Sequence, residues 1–545
     1  MSPPEPLARR IDALARERGD ALAFAADGAR MTWASYARRS DRLAQALLAL
    51  GLPRGERVAV WLPDGPGVHA AYVGCEKAGH VVVGIGPRAG LRELRHLLEV
   101  SGARALVSRA EHRGVDLAGF VAEARRAGAG LAHHVLDDGE LEEEGPLVLD
   151  GAVVDAQGPP PAARALRADE LFLLNSTSGT TGLPKCVTHD QARWLAFHRF
   201  AVAAGALAPS DVFLSALPAP FGFGIWTAHV TPALLGAPTV VTPRFDAAEA
   251  LRAIERHRVT VLAAVSTQFT LMLEAPALGS ADLSSLRVLF TGGEAVPPER
   301  AARFEEATGA RVLQFYGSNE TGALSRTTLA DPPEVRLRTA GRVIPEMQVR
   351  LFDDAGRDVT ASGRGQPGCR GPATSRGYWN DPEANRALYT PDGWMLTGDV
   401  AELDAEGVLR VVGRKADFII RGGKNVSAAE VEAEVATHPA VALAAAVAMP
   451  DPVFGERVCV YVEPRPGRTL TFAELSAHLA ARELGRESHP ERLVVLPELP
   501  RSSGGKIAKG ALREDIRRRL AEEAAAAAPP ERTGPERRSA GGDAR

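Results

Sequence analysis

Apolar residues Leu7, Ile11, Leu14 and Ala15 recur at helical spacing, which predicts a helix over residues 7–18, and residues 32–50 repeat the pattern behind a Thr-Trp-Ala-Ser start. Residues 57–62 read as a strand, 69–78 as a helix and 80–85 as another strand. The alternation continues: strand at 171–174, helix at 191–206, strand at 211–217, more of the same over 230–241 and 259–266, then strands at 287–290 and 311–315. Helices alternating with short apolar strands predict an α/β fold, a mostly parallel sheet covered on both faces. Residues 137–162, rich in Glu, Gly, Pro and Asp, read as a polar surface connection. Ser427 and Glu430 have capping-box spacing, so a helix should start at Ser427.

Composition bounds the class. At 545 residues the chain exceeds a single core, so two or more domains are expected, and 45% hydrophobic with 24% charged residues suits a globular protein. A net charge of −4 supplies no basic field for nucleic acid. Cys75, Cys186, Cys369 and Cys459 form no CxxC pair, so neither a zinc site nor a disulfide framework is indicated, and a cytoplasmic location is expected. The first 20 residues lack the apolar stretch of a signal peptide, and the run 440–449 is too short to cross a bilayer.

The chemistry concentrates at residues 171–189, LFLLNSTSGTTGLPKCVTH. An apolar strand breaks into Ser176, Thr177, Ser178, Gly179, Thr180, Thr181 and Gly182 and closes with Leu183-Pro184-Lys185. Glycines let backbone N–H groups turn toward one oxyanion, hydroxyls donate without bulk, and Lys185 adds a point charge, so the stretch reads as a phosphate cradle rather than a Ser/Gly linker. It is not a Walker A loop, and Gly423-Lys424 and Gly505-Lys506 fail that pattern too. Residues 84–90, GIGPRAG, place the last glycine of a dinucleotide fingerprint one position late and read as a turn.

STSGTTGLPK closely resembles the phosphate loop of the adenylate-forming superfamily, which includes acyl-CoA synthetases, peptide-synthetase adenylation domains and luciferases. The resemblance covers residues 34–520 and implies a large, multi-subdomain N-terminal domain over 1–413, with parallel-rich sheets and helices. It also implies a small mobile α+β C-terminal domain over 414–520, while residues 521–545, without a periodic apolar face, are expected to be a disordered tail. Tyr316-Gly317-Ser318-Asn319-Glu320 resembles the YGxTE motif, in which Tyr stacks near adenine, Thr touches the α-phosphate and Glu ligates Mg²⁺; here Asn319 stands where Thr is usual. By the same resemblance Gly293 and Glu294 line the nucleotide, Thr180 joins Glu320 at the metal and Asp399 binds ribose. Arg414 reaches ribose or phosphate, Gly422 and Gly423 pass the pantetheine arm, and Lys506 is the catalytic lysine, while Ala416 occupies a hinge position usually Asp or Lys.

Phe221 matches the family's gate residue, and Phe221, Gly222, Phe223 and Val265 are the expected substrate pocket, an apolar set that disfavours amino acids. The expected activity is ATP-dependent, Mg²⁺-assisted ligation of an aromatic, alicyclic or medium-chain acid to coenzyme A through an acyl-adenylate. A stand-alone enzyme loading a carrier protein is the second reading, since the chain has no Gly-x-Asp-Ser phosphopantetheine site of its own. A catalytically inactive nucleotide-binding protein is the third. Oligomeric state is not encoded in any motif.

Overall fold

A computed structural model describes residues 5–26, 29–112, 114–128, 130–137, 147–154, 158–176, 184–294, 296–421, 424–482, 484–502 and 506–527. Two large sheets hold most of the chain. One has nine strands, in which Leu22–Ala26, Thr239–Val241, Phe213–Ser215, Val261–Ala263, Val288–Gly292 and Arg311–Ser318 lie side by side and parallel. The other has eight, with His133–Leu136, Ala105–Ser108, Arg57–Trp61, Val81–Gly84 and Leu171–Ser176 parallel at its centre. The strands are mostly short and apolar, as expected of strands buried on both faces.

Every residue of the helix Pro66–Ala78 is buried, so this helix belongs to the core rather than to the surface. Lys77 within it is buried too, and its Nζ donates to Asp12 and Asp41 at 2.6 Å each, tying three helices to one charge. Losing either acid would leave a buried ammonium underpaired.

A third sheet, antiparallel, joins Gln348–Phe352, Arg364–Arg370, Asp399–Leu403 and Leu409–Arg414. The small C-terminal domain follows, with the long hairpin Val441–Asp451 and Gly455–Pro464 at its centre and the helix Ala428–Val435 on one face. Ser427 caps that helix by accepting from the Glu430 N–H at 3.3 Å, at the position its spacing predicts.

Several expectations need adjusting. The helix read at 69–78 begins at Pro66, because proline is pre-shaped for a first turn. The connection 137–162 contains a hairpin, Leu147–Leu149 with Ala152–Val154, at the edge of the eight-stranded sheet. The last helix, Lys509–Ala527, runs past Leu520, so residues 521–527 are helical, carried by the alanine run; residues 528–545 lie outside the described residues.

The two domains meet at Glu274. Its carboxylate accepts from Arg300 at 3.0 Å, from Arg303 at 2.9 Å and, across the interface, from Arg465 at 2.6 Å. Arg300 also donates to the carbonyls of Ala436 (3.1 Å) and Val441 (2.9 Å) in the C-terminal domain. Removing one partner of a desolvated charge pair costs about 2 kcal/mol. Arg465→Ala is therefore expected to speed proteolytic cleavage between the domains roughly thirtyfold while far-UV circular dichroism stays unchanged; an unchanged cleavage rate would show that this contact does not hold the domains together.

Candidate active site

The parallel strand Leu171–Ser176 ends at the phosphate loop. Ser176 Oγ is buried and has no partner among the described residues, the state expected of a hydroxyl facing a ligand. Thr177, Ser178, Gly179, Thr180, Thr181 and Gly182 lie outside the described residues, as do Gly422 and Gly423. Lys185 sets its ammonium over the Tyr378 ring at 4.9 Å from the centroid. Tyr378 Oη in turn donates to Glu320 Oε1 at 2.8 Å. Tyr378 therefore brings Lys185 and Glu320 to one place. Sequence reasoning passed over it; the signal was Arg376-Gly377-Tyr378, where Gly377 (φ +89°) makes a turn that a side chain would strain.

The strand Arg311–Ser318 delivers Tyr316, Gly317, Asn319 and Glu320. At Gly317 a Cβ would lie 1.7 Å from the Gly322 carbonyl oxygen, so only glycine lets the chain fold back this tightly. Tyr316 Oη donates to Asp399 Oδ2 at 2.7 Å, and Arg414 Nε lies 3.9 Å from Asp399 Oδ1. Burial raises the Asp399 pKa above the ordinary carboxylate value, while the Tyr316 hydrogen bond and Arg414 pull it back. Tyr316, Asp399 and Arg414 thus form one cluster drawn from three separate motifs.

Lys506 reaches the same region from the other domain. Beside it Arg501 and Ile507 form an antiparallel bridge, and the Ser502 N–H donates to the Lys506 carbonyl at 2.7 Å. Lys506 Nζ donates to the Gly293 carbonyl. Burial lowers the lysine pKa, and Glu294, Glu320 and Asp399 oppose that shift. Gly293 has φ +77° and its missing side chain leaves the approach open, since a Cβ there would lie 3.0 Å from Nζ. Glu294, expected beside the nucleotide, turns its Oε1 to Ser266 Oγ (2.6 Å) and the Thr267 N–H (3.3 Å), capping the helix Ser266–Glu274.

That cap brings the acyl-pocket segments together. Val265 precedes the helix, and Gln268 Nε2 donates to the Ala216 carbonyl at 2.7 Å. Phe221 begins the short helix Gly222–Gly224, which runs on as the π-helix Ile225–Val230. Phe223 is half-buried; a Cβ on Gly292 would lie 3.4 Å from its ring, and Trp226 packs behind it at 5.9 Å. Behind these, Trp226, Phe290 and Phe315 close the floor, with Trp226 edge-on to Phe290 at 5.2 Å and Phe290 stacked on Phe315 at 5.5 Å. At the hinge position, Lys415 pairs with Asp354 (2.7 Å) and Asp417 with Arg513 (2.5 Å), so both neighbours of Ala416 are held by ion pairs.

Tyr378 joining Lys185 to Glu320, Asp399 held by Tyr316 and Arg414, and a lysine reaching them from the C-terminal domain match what comparison finds. The family described as AMP-binding enzyme matches residues 11–379, and the AMP-binding enzyme C-terminal domain matches residues 430–506. The chain belongs to the adenylate-forming enzymes. It is 32% identical over 502 residues to the medium-chain fatty-acid–CoA ligase of Escherichia coli strain K12, covering 91% of this chain and 88% of that ligase. It is also 32% identical over 508 residues to the 2,3-dihydroxybenzoate-AMP ligase of Bacillus subtilis strain 168, with 93% of each covered. The fold matches the crystal structure of the anthranilate CoA ligase AuaEII with anthranoyl-AMP at TM-score 0.82, over 94% of this chain and 98% of that one at 24% identity. Adenylate-forming enzymes use ATP, and this one is an adenylate-forming ligase of α/β fold with a large N-terminal and a small C-terminal domain. No helix among the described residues is long and apolar enough to cross a membrane.

Asp64 was not foreseen from sequence. Its carboxylate accepts from the Ala219 N–H at 3.0 Å and so holds the loop that leads into Phe221. Burial pushes its pKa up to about 7, against the opposing pull of Ala219 and Arg88. A carboxyl raised in the folded state binds its proton more tightly there than in the unfolded chain, so stability falls as pH rises from about 4 to about 7. Asp64→Asn keeps the acceptor and removes the charge. It is expected to stabilise the enzyme at pH 8 by on the order of 1–2 kcal/mol more than at pH 5, read from thermal melts; an equal change at both would rule the titration out.

Proposed function

We propose that this enzyme joins a compact apolar carboxylic acid to coenzyme A through an acyl-adenylate. The observation that carries this reading is Lys506 set on the Gly293 carbonyl, with Glu320, Asp399 and Arg414 all close enough to act on its charge. A carboxylate attacking the α-phosphate of ATP sets two anions against each other, so the reaction needs fixed positive charge at that point. Lys506 supplies it between the carboxylate and an α-phosphate oxygen while pyrophosphate leaves with both electrons of the broken P–O bond. Lys185 and the loop from Ser176 hold the departing phosphates. Asp399 accepts from the ribose hydroxyls, Tyr316 lies against adenine and Arg414 neutralises nearby phosphate.

One carboxylate suits Mg²⁺, which is bound by one or two protein carboxylates and completes its shell from phosphates and water. Among the described residues no group of three or more metal ligands occurs, and Glu320 is the residue placed to hold Mg²⁺, which when bound offsets phosphate charge. In the second step a thiol attacks the carbonyl of the mixed anhydride, the thioester forms and AMP departs. We place the boundary between the domains at Arg414, where the hinge turn Lys415–Asp417 begins.

We read the acid as compact and apolar from Phe221, Phe223 and Val265, all apolar, with Trp226 packed behind Phe223 at 5.9 Å. The relatives include both a CoA ligase and an aryl-AMP ligase, so carrier-protein loading is the competing reading. AMP release is measured with ATP, Mg²⁺ and benzoate, cyclohexanecarboxylate, octanoate or longer acids, with and without CoA. Release that needs CoA and one of the compact acids is the expected result; adenylate formation without CoA turnover would favour a carrier protein.

Deleting one preorganised charge costs roughly 3 kcal/mol, about a hundredfold in rate. Lys506→Ala is therefore expected to lose at least that much in adenylation while thioester formation from supplied acyl-AMP is far less affected. Equal loss in both half-reactions would contradict the role of Lys506.

A further inference from the structure

Behind Asn319 lies a chain of buried polar groups that the reaction as described does not use. Arg193 is buried in the helix Gln191–Gly205, and its Nη1 donates to His189 Nδ1 at 2.8 Å. His189 Nε2 lies 2.7 Å from Asn175 Oδ1. Asn175 Nδ2 donates to the Pro220 carbonyl at 2.9 Å and to Asn319 Oδ1 at 3.4 Å. Arg193 also holds the Asn319 backbone, with Nη2 donating to its carbonyl at 2.8 Å, and donates from Nε to the Ala373 carbonyl at 2.9 Å. Asn175 and His189 are both fully buried.

The direction of every bond in this chain is fixed by its first member. A guanidinium only donates, so His189 Nδ1 must accept and the proton sits on Nε2. Burial lowers the Arg193 pKa to about 10, which still leaves it charged at neutral pH. Burial, and then Arg193, push His189 well below the ordinary histidine value, so the imidazole is neutral with one donor. Nε2–H then donates to Asn175 Oδ1, which turns the Asn175 amide nitrogen toward Pro220 and Asn319. Asn319 answers with its oxygen, and its Nδ2 group donates to no described residue.

This order matters because Asn319 is an amide. A hydroxyl at the same position would rotate to donate wherever a phosphate sat, whereas an amide presents either two donors or, flipped by 180°, an acceptor oxygen that repels a phosphate. Resting on the ligase reading above, we propose that Arg193, His189 and Asn175 are positioning residues that lock the Asn319 amide with its NH₂ toward the α-phosphate of ATP. The relay converts the fixed polarity of one buried arginine into the fixed polarity of one half-buried amide.

The test is a double-mutant cycle between His189→Leu and Asn319→Thr, read on the Kd of ATP by calorimetry and on ATP–pyrophosphate exchange. In the parent, His189→Leu is expected to weaken ATP binding and kcat/KM for ATP about thirtyfold, leaving KM for the acid within about threefold. In the Asn319→Thr background, where a freely rotating hydroxyl needs no relay, the same change should cost no more than about threefold. His189→Gln, which can accept from Arg193 and donate to Asn175, should stay within about threefold of the parent. Should His189→Leu not fold, Asn175→Ser, which removes the donor to Asn319, carries the same cycle. An equal factor in both backgrounds, or an equal rise in KM for the acid, would overturn the relay and leave these residues as packing. Exchange absent from the unaltered protein would overturn the ligase reading alone, and the ATP-affinity cycle would still decide the relay.

Discussion

A single donor, Lys506 Nζ on the Gly293 carbonyl, crosses from one domain to the other at the centre of the site. Everything that makes this contact possible lies elsewhere. Gly293 must hold φ +77° without a side chain, the Arg501 and Ile507 bridge must hold the chain on either side of the lysine, and the domains must stay in register through Glu274, Arg300 and Arg465. A lysine on a flexible loop would lose the four-carbon entropy of its stem on every visit to the site, so the bridge and the interdomain ion pairs offset that cost in advance.

The charges around that contact are arranged so that none is buried alone. Asp399 has Tyr316 and Arg414, Glu320 has Tyr378, and Lys185 has the Tyr378 ring. Two tyrosines therefore hold the two carboxylates that lie nearest the expected nucleotide. A phenol is a suitable holder because it donates one hydrogen bond and carries no charge, so the carboxylate keeps its remaining lone pairs and its full negative charge for a hydroxyl or a cation. An arginine in either place would have pre-empted both.

Much of this was legible in the sequence because the signals were local. Strand alternation pointed to one mostly parallel sheet where the fold has two, while the Ser427 cap and the helix at residues 7–18 fall where their spacing puts them. The motif residues Tyr316, Asp399, Arg414, Gly293 and Lys506 do converge in space. What was not legible depends on partners far away in the chain. Glu294 carries the same letter whether it faces a nucleotide or caps the helix at Ser266, and only the fold shows the second. Tyr378, Asp64 and Arg193 sit in ordinary sequence, and their roles arise from neighbours 58, 155 and 126 residues away, namely Glu320, Ala219 and Asn319. Residues 521–527 misled in the opposite direction, since an alanine run needs no apolar face to remain helical when it extends a helix already docked through Leu512 and Ile516.

Asn175 links the two places where the proposed reaction puts its substrates. One amide nitrogen donates both to the Pro220 carbonyl, one residue before the gate Phe221, and to Asn319 at the nucleotide end. The Pro218–Phe221 turn is fixed from its other side by Asp64, and Gly84 lets Pro220 pack closely, because a Cβ there would lie 2.7 Å from the proline ring. The turn before Phe221 and the Asn319 amide, the proposed acyl gate and the proposed α-phosphate contact, thus share a single buried side chain at the end of one strand. In the proposed reaction a shift of that strand end would move acid and nucleotide together and preserve the short distance between attacking carboxylate and α-phosphorus.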